Sequence, residues 1–181
     1  MENAGIKAVL LAGGLGTRLA EETNLRPKPM VEIGGKPILW HIMKLYDVYG
    51  HTDFVVALGY KGEYIKRYTA AFSSLTGNLY ASTLSGTVRC QTGEQTPDWQ
   101  LELIDTGGQT NTGGRIKRLQ PYMGNETFML TWGDGVSDVN LHDLLAFHRS
   151  HGKLATLTAV RPPARFGHLE LNENCITEFS E

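Results

Sequence analysis

Three short segments of this 181-residue sequence set a charged side chain among residues that free or stiffen the backbone around it: Leu11-Ala12-Gly13-Gly14-Leu15-Gly16-Thr17-Arg18, Arg26-Pro27-Lys28-Pro29-Met30 and Thr131-Trp132-Gly133-Asp134-Gly135. In the first, Gly13, Gly14 and Gly16 let the main chain approach a ligand closely and turn N–H groups toward phosphate oxygens, while Arg18 offers a planar fork to the same anions. In the second, a proline on either side of Lys28 restricts the backbone and so fixes where its ammonium group stands. In the third, Asp134 sits between two glycines that leave room for a hydrated cation. Mg²⁺ suits such a place, because it takes one or two carboxylates and fills its shell with water and substrate phosphate oxygens. Taken singly, each segment also admits a plainer account: a ligand-free glycine turn, a solvated lysine in a stiff loop, an Asp-Gly turn.

Two common glycine loops do not fit the first segment. A P-loop needs GxxxxGK followed by Ser or Thr, and a dinucleotide fingerprint starting at Gly14 needs a glycine where Leu19 stands. A glycosyltransferase-like reading lacks the Asp-x-Asp metal pair after a strand. Among the other conspicuous residues, His41 and His148 fall within helical patterns and read as surface or packing residues. Trp40, Trp99 and Trp132 read as core or lid packing, and Arg115, Lys117 and Arg118 as either functional or a solvated helix face.

The elements around these segments predict an α/β fold, with a mostly parallel Rossmann-like sheet flanked by helices. Ile6 and Ala8 to Leu11 form a nearly continuous apolar run ending at Gly13, the pattern of a strand buried on both faces, and Phe54 to Leu58 repeats it before Gly59. Helical spacing follows each run, at Leu39, Ile42, Met43 and Tyr46, and again at Tyr64, Ile65, Tyr68 and Phe72. Strands are expected at Phe128 to Trp132 and Leu154 to Val160, with a helix over Leu141 to His148 between them. The stretch from Gly77 to Gly108, with alternating Trp99, Leu101 and Leu103, reads as a small antiparallel insertion. Its end, Thr106 to Gly114, holds four glycines and three threonines in nine residues and reads as a flexible ligand-closing loop. Segments one and three then lie at the carboxyl edge of one sheet, where open α/β folds bind ligands.

Composition narrows the classes further. With 17 basic against 19 acidic residues the chain has no basic field suited to nucleic acid. No stretch approaches the roughly 20 apolar residues that span a bilayer, so neither nucleic acid nor membrane is an expected partner and the location is expected to be cytoplasmic. Cys90 and Cys175 are expected to be free thiols.

The order and spacing of Leu11 to Leu19, Arg26 to Met30, Gly34-Gly35-Lys36-Pro37 and Gly133-Asp134 resemble the sugar-1-phosphate nucleotidylyltransferases over essentially the whole chain. Lys36 to Lys44, Thr112 to Arg118 and Gly133 to Asp138 resemble most closely the branch that transfers cytidylyl groups to glucose 1-phosphate. UTP and dTTP remain open on the residues alone, since base choice rests on one ring edge. The resemblance implies a nucleotide contacted by Leu11, Ala12, Gly13, Gly14, Leu15, Gly16 and Thr17, with Arg18 and Lys28 as the catalytic phosphate clamps. Thr110, Arg115 and Gly133 would line the base and ribose side, and Asp134 would hold Mg²⁺. It further implies CTP and glucose 1-phosphate as substrates, in-line attack with no protein nucleophile, and homo-oligomers. Residues 1–181 would form one nucleotidyltransferase domain that stops short of the family's sugar-binding C-terminal end, where further acceptor contacts and a second metal carboxylate are expected.

Overall fold

The computed structural model describes residues 5–14, 26–93, 96–160, 168–172 and 174–180. They group into two compact units, Met1–Asp138 and Val139–Glu181.

Among the described residues the first unit is built on four parallel strands: β1 (Ala8–Leu11), β4 (Asp53–Leu58), β7 (Gln100–Asp105) and β8 (Met129–Trp132), in the spatial order β7-β4-β1-β8. Every residue of β1 is buried, as are Phe54 to Leu58 of β4, which explains why both strands read as unbroken apolar runs. Their side chains alternate between two helical layers. Val9, Leu11, Val55 and Ala57 form a core with Leu119, Ile116 and Met123 of α3 (Thr112–Met123). On the other side Phe54 meets Tyr46 of α1 (Ile38–Val48) edge-on at 6.4 Å and Trp99 at 5.8 Å, and Trp99 stacks on Phe72 of α2 (Gly62–Thr76) at 6.0 Å. The parallel sheet flanked by helices is as expected. Because Phe54 is fully buried at the centre of this aromatic group, Phe54→Ala should cost about 3–5 kcal/mol. Urea unfolding measures it, and a loss under about 1 kcal/mol would mean that the pocket collapses around the smaller side chain.

The described residues of the unit also include two small hairpins: β2 (Glu32–Ile33) with β3 (Lys36–Pro37), and β5 (Asn78–Ser82) with β6 (Thr87–Gln91). The second hairpin is the expected antiparallel insertion, but it ends before Trp99. The alternating Leu101 and Leu103 belong to β7, which pairs in parallel with β4 as a half-buried edge strand, so the insertion is shorter than the sequence suggested. The segment Thr106 to Gly114 also differs from expectation. Thr106 is fully buried, and Thr112 to Gly114 already form the first turn of α3.

The second unit contains α4 (Leu141–His151), capped by the Asn140 side chain, which accepts from the backbone N–H groups of His142 and Asp143. An antiparallel pair, β9 (His168–Asn172) and β10 (Cys175–Ser180), follows. The strand expected at Leu154 to Val160 is absent: these residues pair with no strand, and Leu154, Leu157 and Val160 are exposed. A run of apolar residues makes a strand only where a sheet edge is offered to it. Cys90 and Cys175 are free, as expected. Among the described residues no helix is long and apolar enough to cross a membrane.

Candidate active site

Strand order places the site. β1 lies between β4 and β8; the connection leaving β1 runs to β4 on one side, while the connection leaving β7 crosses back to β8 on the other, which opens a crevice at the carboxyl ends of β1 and β8. A cleft of ≈ 340 Å³ occupies this position, and Leu11, Ala12, Gly13, Gly14, Lys28, Thr110, Arg115 and Asp134 all line it. Leu15, Gly16, Thr17 and Arg18, expected to continue the glycine turn, lie outside the described residues. Gly133 is buried under the floor. Its amide donates to Leu11 O at 2.9 Å, and a Cβ there would stand 2.9 Å from that oxygen and 3.3 Å from Pro29 Cγ.

Lys28 reaches the cleft from a single 3-10 turn, Lys28–Met30. Pro29 and Met30 are buried and anchor the turn against α1, and Met30 N–H closes it on Pro27 O at 2.8 Å. Lys28 Nζ lies 2.7 Å from Asp134 Oδ2, and both side chains stay partly open to solvent, at 27% and 33%. The two residues assigned from sequence to phosphate and to metal thus neutralise each other. An ion pair this exposed contributes about 1 kcal/mol or less to stability, so ligands can replace it at small cost.

The opposite wall is the loop from Thr106 to Asn111 and the first turn of α3. Arg115, read from sequence as lining the base and ribose side or as part of a solvated face, is 5% exposed. Its Nη1 donates to Leu58 O at 3.1 Å, Thr106 Oγ1 at 2.8 Å and Gly107 O at 2.8 Å, and its Nη2 to Gly13 O at 2.8 Å and Gly108 O at 3.5 Å. Burial pulls its pKa below the ordinary value, nearby Arg118 pulls the same way, and Asp105 opposes them. Arg118 braces the same loop from outside, donating to Thr106 O at 2.5 Å and Thr110 Oγ1 at 2.7 Å. The sequence reading missed Gln109, Asn111 and Trp132 as lining residues. It also missed Gly59, whose lack of a side chain leaves space for the Arg115 guanidinium. The available signal for Gly59 was its place, directly after a buried strand, as Gly13 follows β1.

Metal fit rests on Asp134. Among the described residues no three His, Cys, Asp or Glu side chains converge, so a cation here would have one described carboxylate and would depend on substrate oxygens, an arrangement that Mg²⁺ accepts. The Lys28 ammonium and the main chain at Gly13 and Gly14, which line the cleft, suit an anionic ligand.

The comparisons with known proteins agree with this architecture. The chain is 48% identical over 177 residues to the glucose-1-phosphate cytidylyltransferase of Salmonella typhimurium, which covers 97% of this chain and 68% of that protein. It is 31% identical over 165 residues to the mannose-1-phosphate guanyltransferase of Gibberella zeae, covering 90% of this chain and 40% of that one. Among solved structures, HddC from Yersinia pseudotuberculosis, complexed with GMP-PN, shares the fold with a TM-score of 0.69 at 23% identity, over 97% of this chain and 69% of that one. The family model described as nucleotidyl transferase matches residues 7–181. With that match and a relative 48% identical over 97% of this chain and 68% of its own length, the chain belongs to the nucleotidyl transferase family.

Proposed function

We propose that the chain transfers a cytidylyl group from CTP to α-D-glucose 1-phosphate, with release of pyrophosphate. The observation that carries this reading is the Lys28–Asp134 pair, 2.7 Å apart, beside a glycine turn at the sheet's switch point. It supports the reading because an ammonium suited to phosphate and a carboxylate suited to a hard cation stand side by side in one cleft. The identity of 48% to a named cytidylyltransferase, against 31% to a guanyltransferase, supports CTP among the triphosphates.

In this reading a phosphate oxygen of glucose 1-phosphate attacks the α-phosphorus of CTP, a new P–O bond forms, and the α–β bridging bond breaks to free pyrophosphate. The backbone of Leu11 to Gly14 seats the triphosphate, and Lys28 turns from Asp134 to the phosphates and offsets the charge that collects there. Mg²⁺ held by Asp134 together with phosphate oxygens would supply further charge neutralisation when bound. Catalysis is then positioning and electrostatics, with no covalent enzyme intermediate.

Pyrophosphate release measured with glucose 1-phosphate and each of CTP, UTP, dTTP and GTP tests the assignment. CTP is expected to be preferred by at least about tenfold, the discrimination that one or two base hydrogen bonds supply. A preference for another triphosphate would replace the cytidylyl assignment, and binding of CTP without product from any of the four would make the chain a nucleotide-binding module.

A further inference from the structure

We infer that Arg115 is a positioning residue, whose guanidinium fixes the distance between the turn after β1 and the loop after β7 and so sets the width of the nucleotide cleft. The inference rests on the nucleotide reading of that cleft. It departs from a direct role for Arg115 at the base or ribose, because both terminal nitrogens already face the protein. Four of the five acceptors are main-chain carbonyls, at Gly13, Leu58, Gly107 and Gly108, and the fifth is the Thr106 hydroxyl. All are uncharged, so among the described residues Arg115 is a buried cation held by dipoles instead of a carboxylate.

The acceptors explain why an arginine stands here. A carbonyl oxygen has two lone pairs, and Gly13 O and Leu58 O each accept one backbone amide, from Tyr60 and Thr106, and leave room for a second donor. Arg115 supplies it and ties the ends of β1, β4 and β7 together with one planar fork, a geometry that the single ammonium of lysine cannot reproduce. The surrounding backbone is shaped to admit it. A Cβ on Gly13 would stand 2.5 Å from Arg115 Cζ, and one on Gly59 would stand 2.8 Å from Arg115 Nη2. Gly13 lines one wall of the cleft and Gly108 the other, so the guanidinium between them acts as a strut. Three amides report on the strut without contacting it: Ala12 N bonds Ala57 O, Tyr60 N bonds Gly13 O and Thr106 N bonds Leu58 O.

The experiment is hydrogen exchange on the ligand-free protein, followed by CTP titration read from tryptophan fluorescence, since Trp132 lines the cleft. Two variants are compared with the parent: Arg115→Lys, which keeps the charge, and Gly59→Ala, whose methyl would press both on the guanidinium and on Gly13 O, 2.7 Å from its Cβ, from a residue that does not line the cleft. Segments containing Ala12, Tyr60 and Thr106 should exchange roughly tenfold faster in both variants, while α1 and the middle of β4 keep the parent rates. The Kd for CTP should rise about 10- to 100-fold in both. If Arg115→Lys loses CTP affinity with ligand-free exchange unchanged, Arg115 acts by touching the nucleotide and the inference is overturned. Faster exchange spread evenly over the sheet would make it a general stabiliser and overturn the inference equally. Should Arg115→Lys fail to fold, Arg115→Gln, which keeps a donor for these carbonyls without the fork, carries the same readout. A parent chain that binds no CTP would defeat the nucleotide reading by itself, whereas the exchange pattern would still report whether Arg115 joins the two walls.

Discussion

Asparagine at position 134 is expected to tighten CTP binding in the absence of divalent cation, to remove the further tightening that Mg²⁺ brings, and to slow pyrophosphate release by about 10²–10³-fold. The first effect follows from the 2.7 Å pair with Lys28. While Asp134 is charged it occupies the ammonium group that the triphosphate needs and also repels the phosphates. The amide ends the charge pairing and keeps the shape. The second and third effects follow from losing the carboxylate that a hard cation requires. Lys28→Ala should act in the opposite sense on metal-free binding, weakening CTP at least about tenfold while leaving cytidine unchanged, because the nucleoside has no phosphate to grip. The double variant should bind metal-free CTP better than Lys28→Ala only by the relief of that repulsion from Asp134, a smaller gain than Asp134→Asn brings when Lys28 is present, as coupled partners do not add. Fluorescence titrations in EDTA and in Mg²⁺, with circular dichroism as a folding control, give all of these values. Unchanged metal-free affinity in Asp134→Asn would show that Lys28 is not restrained by Asp134. Equal losses for cytidine and CTP in Lys28→Ala would show that Lys28 only supports the fold.

Most of the site's frame was legible because it depends on burial. β1 and β4 are covered on both faces, so their sequences are continuous apolar runs, and the glycine turn and Asp134 had to lie at one sheet edge once those strands and β8 were parallel. β7 was harder to recognise. As a half-buried edge strand it alternates Leu101 and Leu103 with polar residues, a pattern that an antiparallel excursion shows equally well. The run Leu154 to Val160 has strand-like composition, but a strand also needs a partner, and local sequence does not record one. Arg115 was obscured by company: with Lys117 and Arg118 it looks like a basic surface. A signal did exist, since Arg115 precedes Leu119 by four residues and Ile116 precedes Met123 by seven, which puts Arg115 on the apolar face of α3. What the sequence could not supply was the set of carbonyls waiting there, because they come from three separate places in the chain: Gly13, Leu58 and Gly107 with Gly108.

Gly133→Ala is expected to lower pyrophosphate release by about 10²-fold while leaving a folded protein, because one added methyl would act on both halves of the charged pair. The new Cβ would stand 2.9 Å from Leu11 O, closer than real Cβ contacts, and 3.3 Å from both Ala12 Cβ and Pro29 Cγ. Neither neighbour can give easily. Leu11 O accepts the Gly133 amide at 2.9 Å and ends the buried strand β1, and Pro29 is buried at the base of the turn that carries Lys28. The end of β8 must therefore shift or its peptide must tilt, which displaces Asp134 one residue further on, and pressure on Pro29 displaces Lys28 in turn. Overpacking of this kind costs about 1–3 kcal/mol in stability, less than a domain's usual reserve, so urea unfolding should still show one cooperative transition at a lower midpoint. Gly135→Ala is the matched control, since a Cβ there meets nothing within 4 Å while the local sequence change is equally small. That variant should keep parent activity. If Gly133→Ala also kept parent activity at a lowered unfolding midpoint, the contact of β8 with Leu11 and Pro29 would matter to stability alone, and the placement of Asp134 would not depend on the missing side chain beneath it.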